Sequence, residues 1–141
     1  TGQQMDVLLE QVIAHLPEGP RWYEPEQLTD QTREQQISER IREQLFLLIH
    51  QEVPYAVAVL VDQLEERGTV TVIQATILVE RPGQKAIIIG HGGQQLKRIG
   101  QAARAELERL LGCKVHLGLW VKVDANWRQD AARLRELGYT R

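Results

Sequence analysis

The sequence predicts an α+β fold in which helices cover one face of a three-stranded mixed sheet. Three features lead to this class. Apolar residues recur every three or four positions over residues 94–111, the period of a helix, and every second position over residues 114–123, the period of a strand with one buried face. Two β-branched segments, 55–64 and 70–80, flank a short polar turn and predict an antiparallel hairpin.

The N-terminal segment is predicted to lie outside this fold. Residues 6–16 carry an apolar stripe at helical spacing, and Pro17-Glu18-Gly19-Pro20 ends that helix abruptly. Residues 21–29 contain aromatic residues and a proline but show no period, so we interpret them as a linker. We therefore expect a short helix and linker over residues 1–31 and the main domain over residues 32–141.

The main domain is expected to begin with a long helix. Thr29 or Asp30 can cap this helix, which extends to about Ile49 with its apolar residues on one face. A break at Val53-Pro54 precedes the first strand of the hairpin. Glu65-Glu66-Arg67-Gly68 is the predicted turn, so we expect a hairpin loop of about four or five residues.

The C-terminal part of the domain is predicted to contain a helix, a strand and a last helix. Gly112 follows the helical pattern of residues 94–111 and can end that helix in the left-handed conformation. After the strand, Asp124 or Asn126 can cap a terminal helix that turns Trp127 inward.

A glycine-rich tetrad, Gly90-His91-Gly92-Gly93, lies between an isoleucine run and the helix that begins at Gln94. Glycines let a backbone turn sharply and approach a ligand closely, and the N-terminus of the next helix favours an anion. From Arg81 to Arg104 there are five basic residues and no acidic one. We interpret this stretch as a cradle for a phosphate backbone. The simpler alternative is a tight turn before a helix.

Composition and charge narrow the function classes. The net charge is −2, but residues 1–80 hold 5 basic and 14 acidic side chains, whereas residues 81–141 hold 12 basic and 5 acidic ones. This asymmetry indicates a polyanion-binding half beside an acidic half. No apolar run approaches the ~20 residues of a transmembrane helix, and no secretory signal is evident. The single cysteine, Cys113, excludes an internal disulfide and suits a reducing cytoplasm.

No catalytic or metal site is predicted. Cys113 and His116 stand at a C-x-x-H spacing, but strand alternation points their side chains to opposite faces, and zinc needs about four ligands. No set of nucleophile, base and orienting group can be assembled from the sequence. The nucleotide-binding motifs G-x-x-x-x-G-K-[ST] and N-K-x-D are also absent from it.

The tetrad and its flanks resemble the signature of a KH domain. The matching residues are Ile88-Ile89-Gly90-x-x-Gly93-x-x-Leu96-x-x-Ile99, and the predicted order αββααβ resembles the type II form. Taken alone, Lys85–Ile89 is ambiguous, because its isoleucines favour a strand whereas the preceding Pro82-Gly83 favours a helical turn. In KH domains the tetrad joins two helices, so the resemblance implies that this segment is helical.

Other segments resemble the C-terminal region of the Era family, Ras-like bacterial GTPases that help to assemble the small ribosomal subunit. The matches follow the same order along nearly the whole chain: His15-Leu16-Pro17-Glu18-Gly19-Pro20, Leu28-Thr29-Asp30, Ile41-Arg42-Glu43, Val53-Pro54-Tyr55, Ile77-Leu78-Val79-Glu80, Gly83-Gln84-Lys85, Leu119-Trp120-Val121-Lys122-Val123 and Leu137-Gly138-Tyr139. With the nucleotide motifs missing, the resemblance implies a non-enzymatic fragment without a cofactor. Residues 1–31 would hold the last helix of the GTPase domain and the linker, and GTP and Mg would belong to the absent domain.

The resemblance implies that the chain binds single-stranded RNA, in Era the 3′ end of 16S rRNA, on the small ribosomal subunit in a bacterial-type cytoplasm. The glycine backbone would hold phosphates, basic residues would neutralise the strand, apolar residues would floor the groove, and the second strand would recognise bases. The residues implied in these roles are Lys85, Ile88, Ile89, Gly90, His91, Gly92, Gly93, Gln94, Leu96, Lys97, Arg98, Ile77 and Val79. His91-Gly92 departs from the family, whose loops carry Lys or Arg between the glycines.

Several alternatives stay open at this level. The domain could instead be a protein-interaction module with a basic face, or a KH domain of another ribosome-linked protein. The resemblance also implies the absent GTPase domain as a partner and allows a peripheral membrane contact. We expect Trp120 to pack beneath the terminal helix, the alternative being that it stacks on a base. We expect the apolar face of helix 6–16 to belong against the GTPase sheet rather than the KH core.

Overall fold

The computed structural model describes residues 4–20, 31–49 and 57–138, and the chain divides into two units between Asp30 and Gln31. In the first unit, α1 (Met5–His15) confirms the helix predicted over residues 6–16. The large apolar side chains of α1 and the side chain of Leu16 are between 47% and 64% exposed. The predicted linker over residues 21–29 lies outside the described residues.

The second unit contains a mixed sheet and the helices that pack on it. Its order confirms the α+β prediction: α2 (Arg33–Leu48), β1 (Val57–Arg67), β2 (Val70–Val79), α3 (Pro82–Ile89), α4 (Gln94–Leu111), β3 (Lys114–Val123) and α5 (Ala131–Glu136). β1 and β2 are antiparallel, β2 and β3 are parallel, and the strand order is β1-β2-β3. β2 is therefore the central strand, and β3 forms one edge of the sheet.

The β1–β2 hairpin is tighter than the sequence predicts. Arg67 still pairs with Val70, so two residues, Gly68 and Thr69, remain in the loop instead of four or five. Gly68 has φ 62°, the left-handed conformation that tight hairpin loops use. Glu65, assigned to the turn from its polarity, belongs to β1 and accepts two hydrogen bonds from Arg67, at 2.9 and 2.6 Å.

The core lies between one face of the sheet and helices α2, α3 and α4. The alternation predicted for β3 is confirmed, since its odd-numbered residues face this core and its even-numbered residues face the other way. Large side chains from all three helices and from β2 are fully buried there: Ile37, Ile41, Leu45, Ile73, Ile77, Val79, Ile88, Ile99 and Leu107. Each such side chain contributes roughly 1.5–3 kcal/mol of burial free energy, so this face is a rigid support.

Helix α2 begins at a reciprocal cap that the sequence analysis missed. The Thr32 hydroxyl accepts from the Gln35 N–H at 3.2 Å, and Gln35 Oε1 accepts from the Thr32 N–H at 2.9 Å. The spacing of three residues between Thr and Gln is the pattern of a capping box. The predicted caps, Thr29 and Asp30, lie outside the described residues, and the prediction was wrong by two or three positions.

The terminal segment also differs from its prediction. Helix α5 is capped by Asp130, whose carboxylate accepts from the N–H groups of Ala132 and Arg133 at 2.9 and 3.3 Å, and not by Asp124 or Asn126. Trp127 precedes this helix and packs against residues on the second face of the sheet, Ala58 and Leu78.

Trp120 is not covered by the terminal segment. Its side chain is 55% exposed, so the expectation that it packs beneath the last helix was wrong. The terminal segment covers only the end of the second face where Ala58 and Leu78 lie.

Within the described ranges, no helix has both the length and the apolar content that crossing a bilayer would require.

Candidate functional site

The glycine tetrad joins two helices, as the helical interpretation of Lys85–Ile89 requires. Helix α3 ends at Ile89, a single 3₁₀ turn covers His91–Gly93, and α4 begins at Gln94. Three glycines in the turn have positive φ: 71° at Gly90, 57° at Gly92 and 76° at Gly93. Other residues adopt this conformation only at a cost, so the turn depends on glycine.

The three glycines serve different purposes. A Cβ atom at Gly90 would lie 2.6 Å from Gln95 Cβ, so the absence of a side chain lets the end of α3 touch the first turn of α4. At Gly92 and Gly93 an added Cβ would meet nothing within 4 Å. Gly92 is exposed and Gly93 is half-buried. The bare backbone at these two positions therefore faces open space.

Two glutamine side chains hold the helices on either side of the loop. Gln84 Oε1 accepts from the N–H groups of Glu80 and Arg81, both at 2.9 Å, and so caps the start of α3. Gln95 Nε2 donates to the Leu48 carbonyl at 2.8 Å, which ties the first turn of α4 to the end of α2. Side-chain hydrogen bonds therefore hold the start of α3 and the first turn of α4, the helices that the loop joins.

The electrostatic environment of the loop favours an anion. The N-terminus of α4 has no side-chain cap and no acidic residue in its first turn, whereas α2 and α5 are capped by side chains. Lys97, Arg98 and Arg104 on α4 are exposed, and among the described residues none of the three forms an ion pair. Unpaired cations beside free helical N–H groups attract negative charge.

An open groove of about 460 Å³ starts at the loop and continues between α4 and β3. One wall is a stripe along α4 and the other is edge strand β3. Leucine and valine side chains contribute an apolar lining, and basic side chains of α4 border it. The lining residues are Gly93, Leu96, Lys97, Gly100, Gln101, Arg104, Val115, His116, Leu117 and Leu119.

A second depression, of about 370 Å³, lies on the other side of the loop. The end of α2, the end of α3 and the start of α4 enclose it. Its lining residues are Leu48, Ile49, Ile87, Gly90, His91, Gln94, Gln95 and Arg98. The loop thus separates the groove from the second depression. Arg98 faces the second depression and does not line the groove.

The residues predicted for the site fall into groups. Gly93, Leu96 and Lys97 line the groove, Gly90, His91, Gln94 and Arg98 line the second depression, and Gly92 is exposed at the turn between them. Lys85 and Ile89 are half-buried and line neither hollow.

Three predicted residues are withdrawn from the site. The Ile88 side chain is fully buried in the core and cannot floor a groove. Ile77 and Val79 are also fully buried, and their strand is paired on both sides, with Val59 and Val57 on β1 and with Val121 and Val123 on β3. A central strand has no free edge, so its backbone is not available to a ligand.

The far end of the groove was not predicted from the sequence. The helical period places three further residues on the same side of α4 as Leu96 and Lys97, namely Gly100, Gln101 and Arg104. The sequence therefore contained the information needed to predict them. The β3 wall carries no such signal, because the choice of edge strand depends on long-range pairing.

The described part of the chain contains no cluster of three or more metal-ligating side chains. Cys113 Sγ lies 3.1 Å from the Thr71 hydroxyl, which is an ordinary hydrogen-bonding contact for a thiol.

The chain is similar to known proteins over almost its whole length. A family model described as KH domain matches residues 52–128. The GTPase Era of Nostoc sp. is 48% identical over 139 residues, which cover 99% of this chain and 43% of that protein. The GTPase Era of Caldicellulosiruptor saccharolyticus is 49% identical over 140 residues, which cover 98% of this chain and 47% of that protein. The chain therefore spans just under half the length of these relatives.

Solved structures of Era are also similar to this chain. A variant of Era from Aquifex aeolicus bound to GDP·AlF4− superposes with a TM-score of 0.89 at 37% identity, over 98% of this chain and 47% of that one. Era in complex with MgGDPNP and nucleotides 1506–1542 of 16S ribosomal RNA superposes with a TM-score of 0.90, also at 37% identity and with the same coverage.

Proposed function

Because this chain belongs to the KH domain family and matches the C-terminal region of Era, we propose that it binds single-stranded RNA in the groove between α4 and β3. The observation that carries the proposal is the junction of the glycine loop and the groove. Open backbone at Gly92 and Gly93 stands at one end of an apolar channel, and the cations Lys97 and Arg104 line that channel.

The phosphates of the strand bind at the loop. The bare backbone allows close approach, the helix N-terminus supplies partial positive charge, and no carboxylate lies within the first turn of α4. A KH loop clamps about four nucleotides, so the bases extend from the loop into the groove. Leu96, Leu117 and Leu119 then contact the faces of the bases.

The edges of the bases are recognised by β3 and not by β2. An edge strand directs the N–H and C=O groups of alternate residues outward, where no neighbouring strand uses them. Leu117 brings this free edge into the groove, whereas the N–H of Val115 already donates to Glu108 Oε1 at 3.2 Å. This assignment replaces the one for Ile77 and Val79.

We infer the biological target from the relatives. Since a similar Era structure contains nucleotides 1506–1542 of 16S ribosomal RNA, we propose the 3′ end of that RNA, and hence the small ribosomal subunit, as the partner. Residues 1–31 would be the last helix of a GTPase domain with its linker, and GTP and Mg would bind to that domain. The bacterial cytoplasm as the location, and a peripheral membrane contact, are expectations from the resemblance.

A titration tests the proposal directly. We expect the chain to bind a labelled RNA of about five nucleotides from the 1506–1542 region. With about three phosphate contacts, the logarithm of the affinity should fall with the logarithm of the salt concentration at a slope of about −2. Fluorescence anisotropy at two salt concentrations measures both quantities. Absence of affinity at low salt would contradict the proposal and favour a protein-interaction module.

Gly100 provides a test of the groove that does not change charge. This residue lies inside helix α4, where an added Cβ would be 3.7 Å from Leu119 Cδ1, an ordinary contact. Gly100→Ala should raise the free energy of unfolding by up to ~1 kcal/mol, because alanine favours a helix interior. Gly100→Leu should fill the channel and weaken RNA binding by about tenfold, or ~1.4 kcal/mol.

Chemical denaturation and the same RNA titration measure the two effects. A Gly100→Leu variant that is folded and binds RNA like the wild type would show that the strand does not enter this groove.

A further inference from the structure

The second face of the sheet carries a row of exposed side chains on β3. Trp127, with Ala58 and Leu78, occupies one end of this face. The even-numbered residues of β3 point to the same side, and all except Gly118 are exposed. The open-face row is defined here as Lys114, His116, Gly118, Trp120 and Lys122.

The ring of Trp120 has a defined position on the surface of the sheet. Its side chain is 55% exposed, yet its ring folds back along the strand, since Cη2 would lie 3.1 Å from a Cβ atom at Gly118. The Gln74 side chain occupies the same space, because its Oε1 would lie 1.9 Å from that Cβ. Gly118 therefore leaves room for the indole to lie over the sheet. An exposed aromatic ring supported by a strand is suited to stacking on a base.

The two lysines of the open-face row are unpaired. β3 contains no acidic residue, and within the described part of the chain Lys114 and Lys122 form no ion pair. The row thus combines an aromatic ring with two free cations, which matches single-stranded nucleic acid better than an apolar or basic protein surface.

The carboxylates near this row have their own partners. Asp124, which directly follows β3, pairs with Arg133 at 3.7 Å. Asp62 on β1 accepts at 2.7 Å from the hydroxyl of Thr76, the β2 residue that is paired with Trp120. Hydrogen bonds from Arg67 and Gln63 lower the pKa of Glu65. The Asp62 carboxylate therefore lies one strand away from Trp120, whereas Lys114 and Lys122, on either side of Trp120 along β3, stay without an ion pair among the described residues.

The groove and the open-face row meet at His116, which belongs to both. Trp120 lies four residues further along the strand, or ~13 Å. We propose that the RNA strand in the groove continues over the edge of β3 onto the open-face row, where Trp120 stacks on a base and Lys122 contacts a phosphate. This inference rests on the proposed function, and it assigns a second subsite to the same strand.

Two RNA lengths separate the subsites. An RNA of about five nucleotides fills the groove alone, because a KH loop clamps about four, whereas one of about ten reaches the open-face row. Trp120→Leu should weaken binding of the longer RNA about tenfold and leave binding of the shorter one unchanged. Trp120→Phe should keep most of the affinity, since a ring remains. Leu110→Ala, which removes another exposed apolar side chain, should change neither affinity.

Tryptophan fluorescence provides a second readout. The longer RNA should quench the emission of the wild type, and this quenching should be largely lost in Trp120→Phe. If Trp120→Leu weakens both RNAs equally, or neither of them, the second subsite is overturned while binding of the shorter RNA still supports the groove. If the wild type binds neither RNA, the proposed function itself fails.

Discussion

The double variant H91D/G92D is expected to lose RNA binding by at least about 100-fold while its domain stays folded. The two positions form the exposed part of the loop, where open backbone faces the strand. Carboxylates there would lie against phosphates, and like charges brought together in an interface cost several kcal/mol. About 3 kcal/mol corresponds to a factor of about 100 in the dissociation constant. An anisotropy titration with the short RNA measures this loss.

The fold should tolerate the change for local reasons. His91 is exposed, Gly92 has φ 57° and ψ 23°, and aspartate is among the residues that adopt this left-handed conformation most readily. Circular dichroism and the unfolding midpoint verify that the variant is folded.

The matched control is H91N/G92N, which has nearly the same shape and the same backbone preference without the charge. We expect its affinity to lie between those of the wild type and the aspartate variant. Equal binding by the asparagine and aspartate variants would mean that the loop does not face a phosphate.

The two longest elements beside the site could be predicted from sequence because local patterns determine them. Helix α4 has a long apolar stripe and ends at Gly112, whose φ of 67° is the predicted left-handed stop. Strand β3 alternates over its whole length, and the structure has the predicted bounds. Long periodic segments average out the ambiguity of single residues.

For helix α3, periodicity is not sufficient to assign the secondary structure. Its three consecutive isoleucines favour a strand, yet Pro82 occupies the first turn and Gln84 caps the helix through Glu80 and Arg81. Ile88 is fully buried while Ile87 and Ile89 are half-buried, so tertiary packing absorbs all three side chains. The helical assignment came from the resemblance to KH domains, and eight residues carried too little pattern to supply it.

The sequence did not indicate β3 as the candidate base-recognition strand, for a topological reason. The patterns of β2 and β3 both indicate strands, but neither pattern says which strand is central. The parallel pairing of β3 with β2 leaves β3 at the edge and encloses Ile77 and Val79. Arg104 was not among the predicted site residues for a simpler reason, because those predicted on α4 end at Arg98, within its first two turns.

The path of the strand can be tested through its salt dependence. Lys97 and Arg104 lie seven residues apart on one face of α4, ~10 Å along the helix, and both line the groove. K97Q/R104Q should weaken binding at low salt by one to two orders of magnitude. Because each single-stranded phosphate contact contributes about −0.7, its salt slope should be shallower by about 1.4.

Two further variants decide whether the change in salt slope comes from the position of the removed charges or from the change in net charge. R40Q/R109Q removes the same charge from exposed arginines that pair with Glu43 and Glu106 away from the groove, and it should keep the wild-type slope. R98Q removes one charge from the second depression, next to Lys97 in sequence but outside the groove. A strand confined to the groove therefore predicts a much smaller slope change for R98Q than for K97Q alone. If R98Q instead flattened the slope as much as K97Q, the phosphates would pass on the α2 side of the loop, and the assignment of β3 as the base-recognition strand would fall with the groove.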